Sequence, residues 1–140
     1  MTRPDTQELL RLIGELPSID SVDELSSHMG SPTFPEALSQ IMKERDISVT
    51  RLCEAALLSR SFTYQLCEGI RVPGRDIVLR LAIVLELSYE QTQHLLLSAQ
   101  RGVLYPRVRR DAIIIIALGK HMSLSDTDEA LRSLGEEPLI

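Results

Sequence analysis

The stretch of sequence that decides the fold is residues 48–73, SVTRLCEAALLSRSFTYQLCEGIRVP. Ser48 precedes a short run of helix-forming residues, and Ser59 precedes a second run that stops at Gly69. Serine is a preferred residue at the start of a helix, and glycine suits the left-handed position that follows one. The pattern therefore predicts two short helices joined by a tight apolar turn at Leu57 and Leu58, with Leu52, Ala55 and Ala56 of the first helix facing inward.

The second of these helices is predicted to have one polar and one apolar face. At about 100° per residue, the polar side chains share one arc, which holds Arg60, Ser61, Tyr64, Gln65 and Glu68. The opposite side holds Phe62, Thr63 and Leu66, with Cys67 at its border. Two helices at this spacing are typical of a helix-turn-helix, whose second helix enters the DNA major groove. Arginine suits guanine and glutamine suits adenine there, although a solvated helix face has the same composition.

Start and stop signals predict further helices on the N-terminal side and after the motif. Thr6–Leu16 has apolar residues at helical spacing, and 17–35 is rich in linker residues. Pro35 fits the first position of a helix whose apolar face holds Leu38, Ile41 and Met42. A fourth helix is marked by Ile77, Val78, Leu81, Ala82 and Leu85, and Ser88 with Gln91 forms a capping-box pattern that opens a fifth.

The C-terminal residues predict a helical hairpin. Pro106 is expected to start a sixth helix, and Ser123 with Asp126 a seventh that carries Leu131 and Leu134 on its apolar face. The run AIIIIAL at 112–118 is short and β-branched, so a buried strand is an alternative. Its charged flanks and its helical context favour a buried helix.

Composition excludes several classes of protein. The chain has 140 residues, 44% hydrophobic with no Trp and 4% aromatic, which is typical of one domain of packed helices. We see no signal peptide and no apolar run that could span a membrane. Cys53 and Cys67 are expected to be reduced, structural thiols in a cytoplasmic protein. The sequence shows no catalytic set, metal-ligand pattern or phosphate-binding glycine loop, so we expect neither an enzyme nor a cofactor.

Charge is distributed unevenly along the chain, whose net charge is −5. Residues 1–34 hold two arginines against six acids, whereas 35–102 hold eight bases and eight acids. A neutral central part reduces the support for a nucleic-acid partner, since basic patches are the usual signature. The acidic N-terminal segment is interpreted as a partly flexible arm. The spacing of Leu9, Leu10, Ile13 and Leu16 leaves a protein partner open for it.

Residues 35–100 resemble the phage-repressor-like (XRE-type) helix-turn-helix domains. The matching residues are Leu52, Leu58, Ser59, Arg60, Ser61, Phe62, Leu66, Gly69, Pro73, Ile77, Leu81, Ala82 and the Leu85–Ser88 link. The resemblance implies a five-helix bundle that binds double-stranded DNA as a homodimeric transcriptional regulator. By position it assigns base reading to Arg60, Ser61 and Gln65, with Tyr64 on the same face. The residues expected to contact the DNA backbone are Ser48, Ser59, Arg71 and Arg75.

The predicted architecture is all-α and has three parts. Residues 1–34 form the acidic segment, 35–102 the repressor-like domain, and 103–140 a helical extension packed on the same core. Three residues depart from the family pattern: Leu57 stands where glycine is usual, Val49 where a polar residue is common, and Glu68 where Asn or Arg contacts phosphate. The alternative function is therefore a protein-interaction adaptor that keeps the fold without the DNA contacts.

Overall fold

A computed structural model describes residues 32–140, and the regular structure of this part is entirely helical. Its seven helices are α1 (Phe34–Arg45), α2 (Val49–Ala56), α3 (Arg60–Cys67), α4 (Arg75–Val84), α5 (Tyr89–Ser98), α6 (Arg109–Gly119) and α7 (Leu124–Ser133). The all-α prediction is confirmed for these residues. The predicted helix Thr6–Leu16 and most of the acidic segment lie outside the described residues. None of the seven helices is long and apolar enough to cross a membrane.

Serine side chains start the helices where the sequence predicted. The hydroxyls of Ser48, Ser59, Ser88 and Ser123 each accept a hydrogen bond from the backbone amide three residues later, at 3.0–3.2 Å. The Ser88 amide also donates to Gln91 Oε1 at 2.9 Å, which completes the capping box. Each bond satisfies an amide that has no partner within its own helix. The N-terminal helix starts at Phe34, one residue before the expected Pro35.

A left-handed residue follows every helix, and in five cases it is not glycine. These five are Asp46, Leu57, Glu86, Gln100 and His121, with φ between 51° and 57°. This conformation costs about 1–2 kcal/mol for a residue that has a side chain. Gly69 follows α3 with φ +77°, and a Cβ there would also lie 3.2 Å from Pro35 Cγ. Glycine at 69 therefore serves both the turn and the close approach of α1, whereas Leu57 adopts the left-handed turn despite its side chain.

The structure corrects three details of the predicted helices. The sixth helix begins at Arg109 rather than Pro106, because the Val108 amide donates to Tyr105 O at 3.0 Å and closes a turn first. Ala55 is exposed, since Leu52, Cys53 and Ala56 form the buried side of α2. Leu134 lies just beyond the last residue of α7 and is exposed, so of the two leucines predicted for the apolar face, Leu131 alone is buried.

The core is arranged around α4, which packs against α2, α5, α6 and α7. Residues 78–83 are all buried. The same cluster of buried side chains includes residues from the C-terminal part of the chain, namely Leu104, Ile114, Leu118, Leu124, Leu131 and Leu139. The run AIIIIAL therefore belongs to a helix with one buried side, and the alternative of a strand is wrong.

Two consecutive Arg-Asp pairs, one at the start of α4 and one at the start of α6, bind each other. Arg75 donates to both carboxylate oxygens of Asp111 at 2.8 and 3.1 Å. Arg110 donates to both oxygens of Asp76 at 2.9 and 3.1 Å. We call these four residues the crossed ion pairs. Bidentate pairs of this kind fix orientation as well as distance, so they hold the start of α6 against the start of α4.

The buried carboxylate of the crossed ion pairs is held in its charged form. Burial alone would raise the pKa of Asp111. Hydrogen bonds from Arg75 and from the Tyr105 amide, together with the positive charges of Arg75 and Arg110, hold that pKa below its usual range. Arg75 also donates to Gly102 O and Val103 O, both at 2.9 Å, so one network fixes the loop before α6 as well.

Candidate nucleic-acid interface

Within residues 32–140, α3 packs against α1 and α2. Its buried residues are Thr63 and Leu66, and Phe62 is partly buried against the core. The Thr63 hydroxyl donates to Ser59 O at 2.8 Å, so this polar side chain is satisfied within its own helix. The remaining side of α3 is therefore available to a ligand.

The available side of α3 brings together the four residues that were predicted to read bases. Arg60, Ser61 and Tyr64 are exposed, and Gln65 is half-buried. Helical geometry places all four within one arc, and Glu68 continues this arc as an exposed residue at the end of α3. We call these five residues the α3 surface. It presents one cation, one anion and three neutral groups that can form hydrogen bonds.

The residues predicted to contact the DNA backbone differ in the hydrogen bonds that their side chains make within the protein. The Ser48 and Ser59 hydroxyls cap α2 and α3 at 3.2 and 3.1 Å, and each satisfies one backbone amide. The start of a helix attracts phosphate through its other free amides and its dipole. The two serines therefore contribute by defining where α2 and α3 begin.

The two arginines that were predicted to lie in the following loop have different environments: Arg71 lies in the loop, whereas Arg75 is the first residue of α4. Arg71 is exposed, and its loop is fixed because the Ile70 and Arg71 amides both donate to Gln65 O, at 2.9 and 3.3 Å. Arg75 is instead committed to Asp111, Gly102 O and Val103 O. These bonds use its Nε and both terminal nitrogens. Arg75 is therefore not part of the proposed interface.

One residue that shapes this region was missed by the sequence analysis. Arg80 lies in α4, is only 9% exposed, and donates from Nε and Nη2 to Ala56 O at 3.1 and 2.7 Å. Its Nη2 also donates to Leu57 O at 2.8 Å. The signal that could have found it is a lone charge within the apolar run IVLRLAIV, at 77–84.

The electrostatics around the α3 surface are weakly positive. Residues 48–73 carry three exposed arginines, Arg51, Arg60 and Arg71, against the exposed Glu54 and Glu68. None of these five takes part in the four ion pairs found among residues 32–140. Their charges therefore face solvent rather than one another.

The cysteine beside the α3 surface behaves as a packing residue. Burial, and secondarily the charge of Glu68, raises the pKa of the Cys67 thiol. The thiol therefore stays protonated at neutral pH, which makes it a poor nucleophile. Cys53 is buried in α2, and its thiol donates to Thr50 O at 3.1 Å.

Exposed aliphatic side chains lie next to α3 in the sequence. Leu57 precedes it and is 62% exposed, and Ile70 and Val72 follow it at 67% and 68%. Exposed aliphatic residues at the edges of a polar surface are common where one macromolecule binds another. They are therefore candidates for contact with a partner.

A scan against protein-family models finds no match, and searches of curated proteins and of solved structures return none either. The interpretation of the α3 surface therefore depends on its own geometry and chemistry.

Proposed function

We propose that the protein is a sequence-specific double-stranded DNA-binding transcriptional regulator in which α2 and α3 form a helix-turn-helix. The observation that carries this proposal is the exposure of α3: Thr63 and Leu66 anchor it, and Arg60, Ser61 and Tyr64 stand clear of its neighbours. The five helices from α1 to α5 span Phe34–Ser98, which supports the proposal because the repressor-like resemblance of residues 35–100 implies five helices.

In this proposal α3 enters the major groove. Arg60 donates two hydrogen bonds to guanine, Gln65 pairs with adenine, and Ser61 and Tyr64 contact neighbouring base edges. The starts of α2 and α3, defined by Ser48 and Ser59, hold phosphate oxygens, and Arg71 supplies a charge from the following loop. The protein binds as a homodimer, because such motifs read paired half-sites about one helical turn apart.

An adaptor that binds protein instead of DNA is the second candidate. It is favoured by the exposed Leu57, Ile70 and Val72 and by the net charge of −5. An adaptor would have little need for the excess of exposed arginines over exposed acids at 48–73, and we expect its Glu68 to be paired with a nearby base such as Arg71. Within residues 32–140 no ion pair includes Glu68, which favours the DNA-binding function.

The test is binding to a pool of random duplex DNA, measured by fluorescence anisotropy across salt concentrations, with the retained duplexes sequenced. We expect affinity to fall steeply with salt, because phosphate contacts release counterions, and we expect a two-fold symmetric sequence to be enriched. Absence of binding at low salt would overturn the proposal and favour the adaptor.

Arg60→Ala tests the base-reading role on the enriched sequence. We expect a loss of about 1–3 kcal/mol and a relaxed preference at one base pair. The control is Lys120→Ala, which removes the same charge from an exposed residue at the end of α6. An unchanged preference in Arg60→Ala would remove this residue from the reading role.

A further inference from the structure

Arg80 is a buried cation that no carboxylate neutralises within residues 32–140. It belongs to none of the four ion pairs found there. Its partners are two backbone carbonyls, those of Ala56 and Leu57, reached by three hydrogen bonds of 2.7–3.1 Å. A buried charge is costly unless it is well paired, so the placement of Arg80 calls for a physical explanation.

The two carbonyls are suited to a cation because of where they lie. Ala56 is the last residue of α2 and Leu57 is its C-cap. The last carbonyls of a helix have no partner within it and carry the negative end of the helix dipole. Arg80 therefore satisfies two orphaned acceptors and is stabilised by the dipole of α2 in place of a carboxylate.

The same two carbonyls flank the left-handed residue of the turn. Leu57 has φ 57° and ψ 43°. The Ala56 carbonyl belongs to the peptide group before Leu57, and the Leu57 carbonyl belongs to the one after it. Holding both peptide groups from one rigid guanidinium fixes both dihedral angles of Leu57. Those angles set the direction in which the chain leaves α2 and enters α3, which begins three residues later at Arg60.

We propose that Arg80 is a positioning residue: by holding the Ala56 and Leu57 carbonyls it sets the direction of α3, and with it the alignment of the α3 surface on DNA. The second half of this inference rests on the proposed function. Arg80 itself touches no base, so its effect on DNA is on selectivity. Phosphate contacts tolerate a small rotation of α3, whereas bidentate base contacts do not.

The test uses Arg80→Lys, which keeps the charge but has a single nitrogen, and Arg80→Met, which removes the charge. The control is Ile114→Val, a mild core change in α6, a helix that packs on α4, α5 and α7. All proteins are measured full-length and at temperatures where each is folded. The first measurement is the NMR chemical shifts of Leu57 Cα and Cβ, which report its dihedral angles without DNA.

We expect both Arg80 variants to shift the Leu57 signals, and Ile114→Val to leave them unchanged. On DNA, we expect Arg80→Lys to lose about tenfold in affinity for the enriched duplex, the size of one bidentate base contact. Affinity for random duplex should change by no more than about twofold, since phosphate contacts carry it. The control should leave the ratio of the two affinities unchanged.

The outcomes separate this inference from the proposed function. Unchanged Leu57 signals in Arg80→Lys and an unchanged affinity ratio would overturn the positioning role, even if the wild type binds DNA. If the wild type selects no sequence, the proposed function fails. The Leu57 signals then decide alone whether Arg80 holds the turn. If Arg80→Met does not fold, Arg80→Lys carries the test.

Discussion

Leu57 combines a left-handed backbone with an exposed side chain. Its φ is 57° and 62% of its surface is open to solvent. Burial of its own side chain therefore contributes little to offset the cost of the conformation. The turn is held instead by the bonds that its backbone makes: its amide donates to Glu54 O at 3.3 Å, and its carbonyl accepts from Arg80 at 2.8 Å.

Leu57→Gly is expected to stabilise the protein by about 0.5–1 kcal/mol. Relief of the left-handed strain gains about 1–2 kcal/mol, and the greater freedom of glycine in the unfolded chain takes back about 0.5–1 kcal/mol. Urea unfolding followed by circular dichroism measures the difference. Ala55→Gly, two residues earlier on the exposed side of α2, is the control and should destabilise by about 1 kcal/mol. A lower urea midpoint for Leu57→Gly would contradict the explanation.

At the scale of single residues, the sequence predicts what depends on near neighbours. The serine caps and the two faces of α3 follow from bonds and spacings of three or four residues, so they could be read directly. The roles of Arg75 and Arg80 could not. Their partners, Asp111 and Ala56, lie 36 and 24 residues away. An exposed arginine and an internally bonded one look alike in the sequence.

Between elements, the crossed ion pairs join the first turns of α4 and α6. The Asp111 side chain is 4% exposed and that of Arg75 is 29% exposed, at a distance of 2.8 Å. The pKa of Asp111 is lowered in the folded protein. A lowered pKa means that the charged carboxylate stabilises the fold above the pKa of the unfolded chain, about 3.9. This stability is lost as the pH falls through the folded pKa.

Asp111→Asn should destabilise the protein by about 2 kcal/mol at pH 7, because Arg75 loses its charged partner. We expect the difference from the wild type to shrink as the pH is lowered below about 4, because the unfolded wild-type chain then takes up a proton at Asp111, and to vanish below the lowered folded pKa. Urea unfolding at several pH values between neutral and acidic measures this. The control, Glu129→Gln, changes an exposed acid in α7 and should stay within about 0.5 kcal/mol. A difference that does not vary with pH would exclude Asp111 ionisation as its source.

The start of α6 shows why boundaries between elements are harder to predict than the elements. Proline commonly occupies the first position of a helix, and Pro106 precedes the apolar run closely enough to suggest one. The structure delays the helix to Arg109, after the turn that the Val108 amide closes on Tyr105 O, and the Tyr105 amide at the start of that turn donates to the Asp111 carboxylate at 2.9 Å. That bond depends on Asp111 being fixed by Arg75, which no local pattern reveals.

For the described part as a whole, α4 is the element that the others share. It contacts α2 and α5 of the predicted repressor-like domain as well as α6 and α7 of the C-terminal hairpin. The hairpin and the tail after it supply six large side chains to the common core, from Leu104 to Leu139. The sequence predicted an extension on the same core. The three-part division of the whole chain stays a prediction.

Removal of residues 103–140 is expected to abolish cooperative unfolding. Six buried aliphatic side chains at about 1.5–3 kcal/mol each amount to as much as the whole stability of a typical domain, and Arg75 loses Asp111. Circular dichroism of a 1–102 chain should show a broad, non-cooperative thermal transition. Addition of a separate 103–140 peptide should restore the cooperative one. A 1–102 chain that unfolds cooperatively at the wild-type midpoint would show that the hairpin is dispensable.

The crossed ion pairs also restrict how this sequence can change over evolutionary time. A mutation of Arg75 to an acid places a second carboxylate opposite that of Asp111, and a mutation of Asp111 to a base places a second cation opposite Arg75. A single charge reversal at either position of a pair therefore gives a like-charged pair, which a second reversal at the partner position relieves. Positions 75 and 111, and likewise 76 and 110, should covary among descendants of this chain. The two charges of each pair are therefore expected to be inherited together, although the paired residues lie more than thirty residues apart in the sequence.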